Sequence, residues 1–111
     1  MPGLQQGDDM TDRELLEAAA KASGHDPILW CGPKGWLCDT MNAAPRYYWN
    51  PLTDDGDALR LAVKLRLVVD VGSQAAHAFH EGPGEVESHG ADPYAATRRA
   101  IVRAAAAMEK T

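Results

Sequence analysis

The chain has 111 residues, enough for one domain with one hydrophobic core, and two domains of half this size would each bury little apolar surface. Apolar residues make up 45% and charged residues 24%, an ordinary globular composition that argues against wholesale disorder. The 11 basic and 16 acidic residues give a net charge of −5, which disfavours a surface that coats nucleic acid.

The N-terminal residues and the cysteine content indicate the cellular setting. No run approaches the ~18 apolar residues that span a membrane, and residues 1–10 are too polar and acidic for a secretory signal. Residues 1–10 are predicted to be a disordered lead, and residues 11–111 to form a single domain. Two cysteines without an export signal predict free thiols in a reducing cytoplasm.

A capping box predicts where the first helix begins. The hydroxyl of Thr11 can accept a hydrogen bond from the amide of Glu14, and the carboxylate of Glu14 can accept one from the amide of Thr11. Gly24 is predicted to end the helix at the C′ position. Between these signals, apolar residues recur at helical spacing and form one face: Leu15, Ala18, Ala19 and Ala22.

Three short strands are predicted next, the first two joined as a hairpin by a glycine- and proline-rich turn. In a regular hairpin Cys31 lies opposite Trp36. Cys38 then lies opposite Leu29, and the two cysteines are diagonal neighbours about 7–8 Å apart, too far for an unstrained disulfide. A loop follows, and Asn50-Pro51 ends the third strand. The predicted strands are 28–31, 36–39 and 46–49, and the loop is 40–45.

The second helix combines an acidic start with a strongly apolar body. Thr53 is predicted as its N-cap, with three aspartates in the first turn, where the helix N-terminus favours negative charge. Polar residues then form only one narrow stripe, at Asp57, Arg60 and Lys64. Such a helix is typically buried on most of its circumference, so we expect the other elements to pack around it.

Three further strands and a third helix complete the chain. The strand at 66–71 and a weak strand at 74–80 precede a polar strand at 86–89, which is predicted to lie at a sheet edge. Asp92 caps the last helix, and Pro93 occupies its first position. The predicted buried face of this helix comprises Tyr94, Thr97, Ile101, Ala105 and Met108. The fold class is therefore α+β, with a largely antiparallel sheet and three helices in the order α-β-β-β-α-β-β-β-α.

Two segments resemble a family of small phage and prophage proteins described as a phage α-β-α sandwich. They are WNPLTDDGDALRLAVKLRL at 49–67 and DPYAATRRAIVRAAAAMEK at 92–110, and the opening helix also matches the family's TDRELLE pattern. The resemblance implies a layered sandwich and a place in the cytoplasm of a bacterial host. It supplies no catalytic residue. A two-layer arrangement, with one sheet face exposed or used in a dimer, is the alternative.

Acidic residues and histidines are the candidate metal ligands in this sequence. Asp54, Asp55 and Asp57 lack the spacing of an EF-hand, and helix capping explains all three. His77, His80 and His89 are the candidate histidines, but on one strand His77 and His80 point to opposite faces and cannot converge without a bulge. Cys31 and Cys38 lack a C-x-x-C spacing, and no neighbouring residue indicates an activated thiolate. No metal and no cofactor is predicted.

Basic and aromatic residues offer the remaining candidate site, for nucleic acid. Arg98, Arg99 and Arg103 make the last helix basic within an acidic protein and could contact phosphates. Pairing with acids such as Asp54 and Asp55 is the alternative interpretation. Tryptophan and tyrosine rings could stack on bases, but in a small domain they more often fill the core.

The sequence favours a protein without enzymatic activity. It contains no G-x-S-x-G, phosphate-binding loop or glycine-rich nucleotide motif. The leading hypothesis is a phage or prophage accessory protein that binds another protein, possibly a second copy of itself. The second hypothesis is nucleic-acid binding through Arg98, Arg99 and Arg103. The third is a small metal-dependent enzyme that uses Asp54, Asp55 and nearby histidines.

Overall fold

The computed structural model describes residues 10–39 and 45–109, and it confirms the α+β class and the predicted order of elements. The predicted lead at 1–9 and most of the predicted loop at 40–45 lie outside the described residues. Within them, no helix is both long enough and apolar enough to pass through a bilayer. The elements are α1 (Asp12–Ala22), β1 (Asp26–Trp30), β2 (Trp36–Asp39), β3 (Tyr47–Trp49), α2 (Asp55–Leu65), β4 (Val68–Val71), β5 (Ala75–Phe79), β6 (Glu85–Ser88) and α3 (Pro93–Glu109).

The strands form two sheets rather than one. The first sheet has the order β1-β2-β3 and the second the order β4-β5-β6, and every neighbouring pair is antiparallel. Each sheet is a simple meander that follows one helix. Pro51 and the capped start of α2 interrupt the strands between the two sheets, which explains the division. As predicted, β6 lies at an edge.

The central element is α3, so the expectation that the other elements pack around α2 was wrong. α3 packs against α1, α2 and all three strands of the second sheet. Its alanines, including the fully buried Ala100 and Ala105, allow these neighbours to approach closely. In contrast, α2 buries only Ala58, Leu61 and Ala62. Its Leu59 and Val63 are 65% and 68% exposed, because α2 has a helix on one side only.

The first sheet covers α1 with two buried tryptophans, Trp36 and Trp49. The indole Nε1 of Trp36 donates a hydrogen bond to the carbonyl oxygen of Arg13 at 3.1 Å, which satisfies its polar atom inside the core. Met10, the last residue of the predicted lead, packs against this core. Trp36 and Trp49 are therefore structural residues.

The register of the first hairpin differs from the regular one that we predicted. An irregularity between Pro27 and Leu29 places Pro27 opposite Cys38 and Leu29 opposite Leu37. The additional residue in β1 is a bulge-like insertion, which moves each later position by one. The pair nearest the turn is Trp30 with Trp36, so the connection has five residues, 31–35, and Cys31 lies beyond the end of β1. Both cysteines are free thiols.

The helix caps agree with the sequence except at α2. The capping box between Thr11 and Glu14 is present, and Asp92 accepts hydrogen bonds from two amides of the first turn of α3. At α2 the cap is Asp54, whose Oδ2 accepts from the amide of Asp57 at 2.8 Å. The hydroxyl of Thr53 donates instead to the carbonyl oxygen of Asn50, because Thr53 belongs to the preceding turn.

Candidate binding groove and arginine network

A groove of about 630 Å³ runs between α2, β4 and the first turns of α3. Its lining is almost entirely apolar, and its size lies within the range of small-molecule and peptide sites. Ala58 and Ala62 of α2 form one wall, while Val69 of β4 and Ile101 of α3 form others. The small side chains on α2 leave the space that larger residues would have filled.

Large apolar side chains stand at the mouth of this groove with much of their surface in water. Tyr94 is 70% exposed, Leu59 is 65% exposed and Val71 is 55% exposed, and all three line the groove. The prediction that Tyr94 lies on the buried face of the last helix was wrong. Tyr94 occupies the first turn of α3, and no element among residues 10–39 and 45–109 covers its ring.

One polar atom in the groove wall is unsatisfied. The Nε2 atom of His89 is buried and has no hydrogen-bond partner among the described residues. The backbone of His89 is held firmly, since its amide donates to the carbonyl oxygen of Gln74 at 2.9 Å. A buried imidazole nitrogen without a partner lowers stability, and such atoms in native proteins call for an explanation.

His89 provides a stability test of the groove. We expect His89→Leu to raise the free energy of unfolding by about 1 kcal/mol, because it removes a desolvated polar atom and retains apolar volume. Urea denaturation of both proteins measures the difference. A variant that is less stable than the parent would show that the imidazole is satisfied in solution.

Arg98 joins the start of α3 to the start of α2. Its Nε donates to the carbonyl oxygen of Leu52 at 2.7 Å, and its Nη1 pairs with Asp55, also at 2.7 Å. The pair closes one end of the groove, which both residues line. The first of the three candidate nucleic-acid residues therefore holds two helices together.

The other two arginines of α3 are also engaged with carboxylates. Arg99 pairs with Asp12 of α1 at 3.1 Å and lies 3.8 Å from Glu87 of β6. Arg103 pairs with Glu85 at 2.8 Å and with Glu87. Both glutamates point toward α3 because they lie opposite Ala78 and Ala76 in the sheet register. Thus the basic side of α3 faces acids of three different elements.

The other candidate residues lie in separate places. Asp54 caps α2, Asp55 pairs with Arg98, and Asp57 accepts from the amide of Asn50 at 3.0 Å. His77 contacts the carbonyl oxygen of Pro83, whereas His89 lines the groove. Among the described residues, no three His, Cys, Asp or Glu side chains are grouped so that they could hold a metal ion.

Cys38 does not have the surroundings of a nucleophile. Its side chain is fully buried in the core. Burial, together with the negative charges of Asp26 and Asp57, raises the pKa of its thiol to about 11. The thiolate is therefore scarce at neutral pH, and a buried structural thiol of this kind is normally inert.

Comparison with family models, curated proteins and solved structures gives no match to this chain. The resemblance to the phage sandwich family consequently stays an inference from the motifs at 49–67 and 92–110. The groove has to be interpreted from its own geometry.

Proposed function

We propose that the protein is a binding module whose groove accepts the apolar face of an amphipathic helix from a partner protein. The observation that carries the proposal is the apolar groove with Leu59, Val71 and Tyr94 exposed at its mouth. Exposed aliphatic and aromatic side chains around a preformed depression are typical of protein-binding surfaces, and tyrosine is enriched among the residues that dominate binding energy.

The charges around the groove indicate the character of this helix. Asp54, Asp55 and Asp92 are exposed at or beside the starts of α2 and α3, which border the groove, and Asp55 also pairs with Arg98. The whole chain carries a net charge of −5. A helix with two or three apolar residues at i, i+3 or i+4, and i+7, flanked by lysines or arginines, complements both the groove and its rim.

The family resemblance supports a phage or prophage accessory role without enzymatic activity, and the groove gives this role a surface. The alternative of nucleic-acid binding through Arg98, Arg99 and Arg103 has less support. Each guanidinium already pairs with one or more carboxylates, and the side chains of Arg98 and Arg103 are only 16% and 20% exposed. Phosphates would have to displace these partners.

Site-specific photo-crosslinking tests the proposal in phage-infected bacteria. A benzophenone amino acid at position 94 is expected to capture a single partner, and a helix from that partner is then made as a peptide. We expect Leu59→Asp and Tyr94→Asp each to weaken peptide binding at least about tenfold, equivalent to ~1.4 kcal/mol, in calorimetric titrations.

Val86 supplies the matched control, because it is similarly exposed but lies on the outer face of the second sheet. Val86→Asp is expected to bind the peptide as the parent does. Equal losses in all three variants, or capture of the partner only from position 86, would refute the groove as the binding site. Capture of a second copy of this chain would show that the groove is the interface of a homodimer and not a site for a partner's helix.

A further inference from the structure

A second, polar cleft of about 530 Å³ lies on the other side of α2 from the groove, where the end of α1 and β3 meet α2. Its lining includes basic, imidazole and hydroxyl side chains that can donate to an anion, together with one carboxylate, and it shares no lining residue with the groove. Its residues include His25, Tyr47, Trp49, Asp57, Arg60 and Lys64.

His25 is held in a fixed orientation in this cleft. Its Nδ1 is 2.5 Å from the phenolic oxygen of Tyr47, and its ring lies against Trp49 with the ring centroids 4.6 Å apart. The pKa of His25 is lowered, mainly by burial. The negative charge of Asp57 opposes this shift, and the positive charge of Lys64 adds to it. In the tautomer in which the Tyr47 hydroxyl donates to Nδ1, the Nε2 of the neutral ring carries the proton and is a donor.

With His25 neutral, the residues that line the cleft carry a net charge of +1, and Asp54 lies 3.8 Å from Arg60 at its border. Asp57 is used internally, since it accepts from the amide of Asn50 at 3.0 Å and pairs with Arg60 at 2.8 Å. Lys64 makes no ion pair with any residue in the described part of the chain. It lies one helical turn after Arg60, on the same stripe of α2. Its ammonium group thus has no ion-pair partner among the described residues, and it lines the same cleft as the His25 ring.

We propose that this cleft binds the phosphate group of a small molecule, with Lys64 and the Nε2–H of His25 as donors. A phosphate monoester offers three terminal oxygens, which suit the several N–H donors of an ammonium, an imidazole and the outer edge of a guanidinium. Trp49 is only 3% exposed and supports the His25 ring from behind, so it offers no stacking surface to the ligand.

NMR titration of the imidazole and lysine signals tests this proposal at constant ionic strength. Orthophosphate, a sugar phosphate and a nucleoside monophosphate are added separately, and at least one should give a saturable shift of the His25 signals with a Kd of about 1 mM or below. Equal affinity for all three shows recognition of the phosphate group alone. Preference for one identifies the rest of the ligand.

Two lysines provide the decisive comparison. Lys64→Gln should weaken binding at least about fivefold, while Lys64→Arg retains it, because the positive charge is what the phosphate requires. Lys21→Gln serves as control, since Lys21 is an exposed residue of α1 that pairs with Glu17. Absence of a saturable shift at roughly 20 mM of every ligand, well above the expected Kd, would overturn the proposal. Equal affinities in Lys64→Gln and the parent would do the same.

Discussion

Replacing Gly35 by alanine is expected to lower the free energy of unfolding by about 3 to 5 kcal/mol, the sum of a forbidden backbone conformation and a steric overlap. Gly35 connects β1 to β2 with φ +83° and ψ −142°, a combination that essentially only glycine adopts. An added Cβ would overlap the carbonyl oxygen of Trp49 and lie 2.6 Å from the Cβ of Asn50. Neither group can move freely, since Trp49 is in the core.

Gly32 gives a matched control in the same connection. It also has a positive φ, +61°, but an added Cβ would meet nothing within 4 Å. Gly32→Ala should therefore lower the free energy of unfolding only through the unfavourable positive φ, by about 1 kcal/mol. Urea denaturation monitored by tryptophan fluorescence measures both variants, because Trp36 and Trp49 are buried reporters. Equal losses of stability in Gly35→Ala and Gly32→Ala would show that contact with β3 does not explain why position 35 requires glycine.

The local parts of this fold could be predicted from the sequence because their signals involve near neighbours. The Thr11–Glu14 capping box, the glycine at position 24 and the Asp92-Pro93 start of α3 depend on three or four consecutive residues. At α2, however, the N-cap was predicted at Thr53, one residue before the observed cap, Asp54. Thr53 and Asp54 are both good caps, and only the turn back to Asn50 decides between them.

The division into two sheets and the central position of α3 could not be predicted in this way. The pattern of α2 indicates a helix that is apolar on three sides, and an apolar side is normally buried. Nothing in the pattern shows that Leu59 and Val63 have no helix or sheet to cover them. α3 has a weaker pattern because alanine is only mildly apolar, yet its small side chains permit the closest packing.

The groove and the polar cleft were missed for the same reason. Tyr94 was predicted to be buried, and the second helix to be buried on most of its circumference, since the sequence gives residue types without their long-range neighbours. The large number of apolar residues on α2 was the feature of the sequence that could have indicated a binding surface. His25 had no such signal, because its partner Tyr47 lies 22 residues away and meets it only when β3 joins the first sheet.

The second large effect is expected at Arg103. Its guanidinium is shared by Glu85 and Glu87 of the edge strand β6, and all three side chains are three-quarters or more buried. Arg103→Leu leaves both carboxylates facing α3 without this cation, and of the two only Glu87 lies near a second arginine, Arg99 at 3.8 Å. Removing one partner of a fully buried pair costs about 3 to 5 kcal/mol, and partial exposure reduces the expected loss here to about 2 kcal/mol.

The exposed pair of Arg46 and Asp39 serves as the control, with a separation of 3.5 Å and side chains that are 60% and 42% exposed. Arg46→Leu should change the free energy of unfolding by less than about 0.5 kcal/mol. Combining Arg103→Leu with Glu85→Leu and Glu87→Leu should recover most of the loss, because no unpaired carboxylate remains. A triple variant as unstable as the single one would show that packing, and not charge, explains the effect.

The same variant separates a structural arginine from one that binds nucleic acid. If Arg103 holds β6 on α3, Arg103→Leu lowers stability and has no effect on nucleic-acid affinity at low salt. If instead it contacts phosphates, the variant keeps its stability and loses salt-dependent binding to DNA or RNA. The second result would require the carboxylates of β6 to release the guanidinium at little cost. Their burial beside α3 argues for the first result, because both carboxylates are three-quarters or more buried and only Glu87 has another arginine nearby, Arg99 at 3.8 Å.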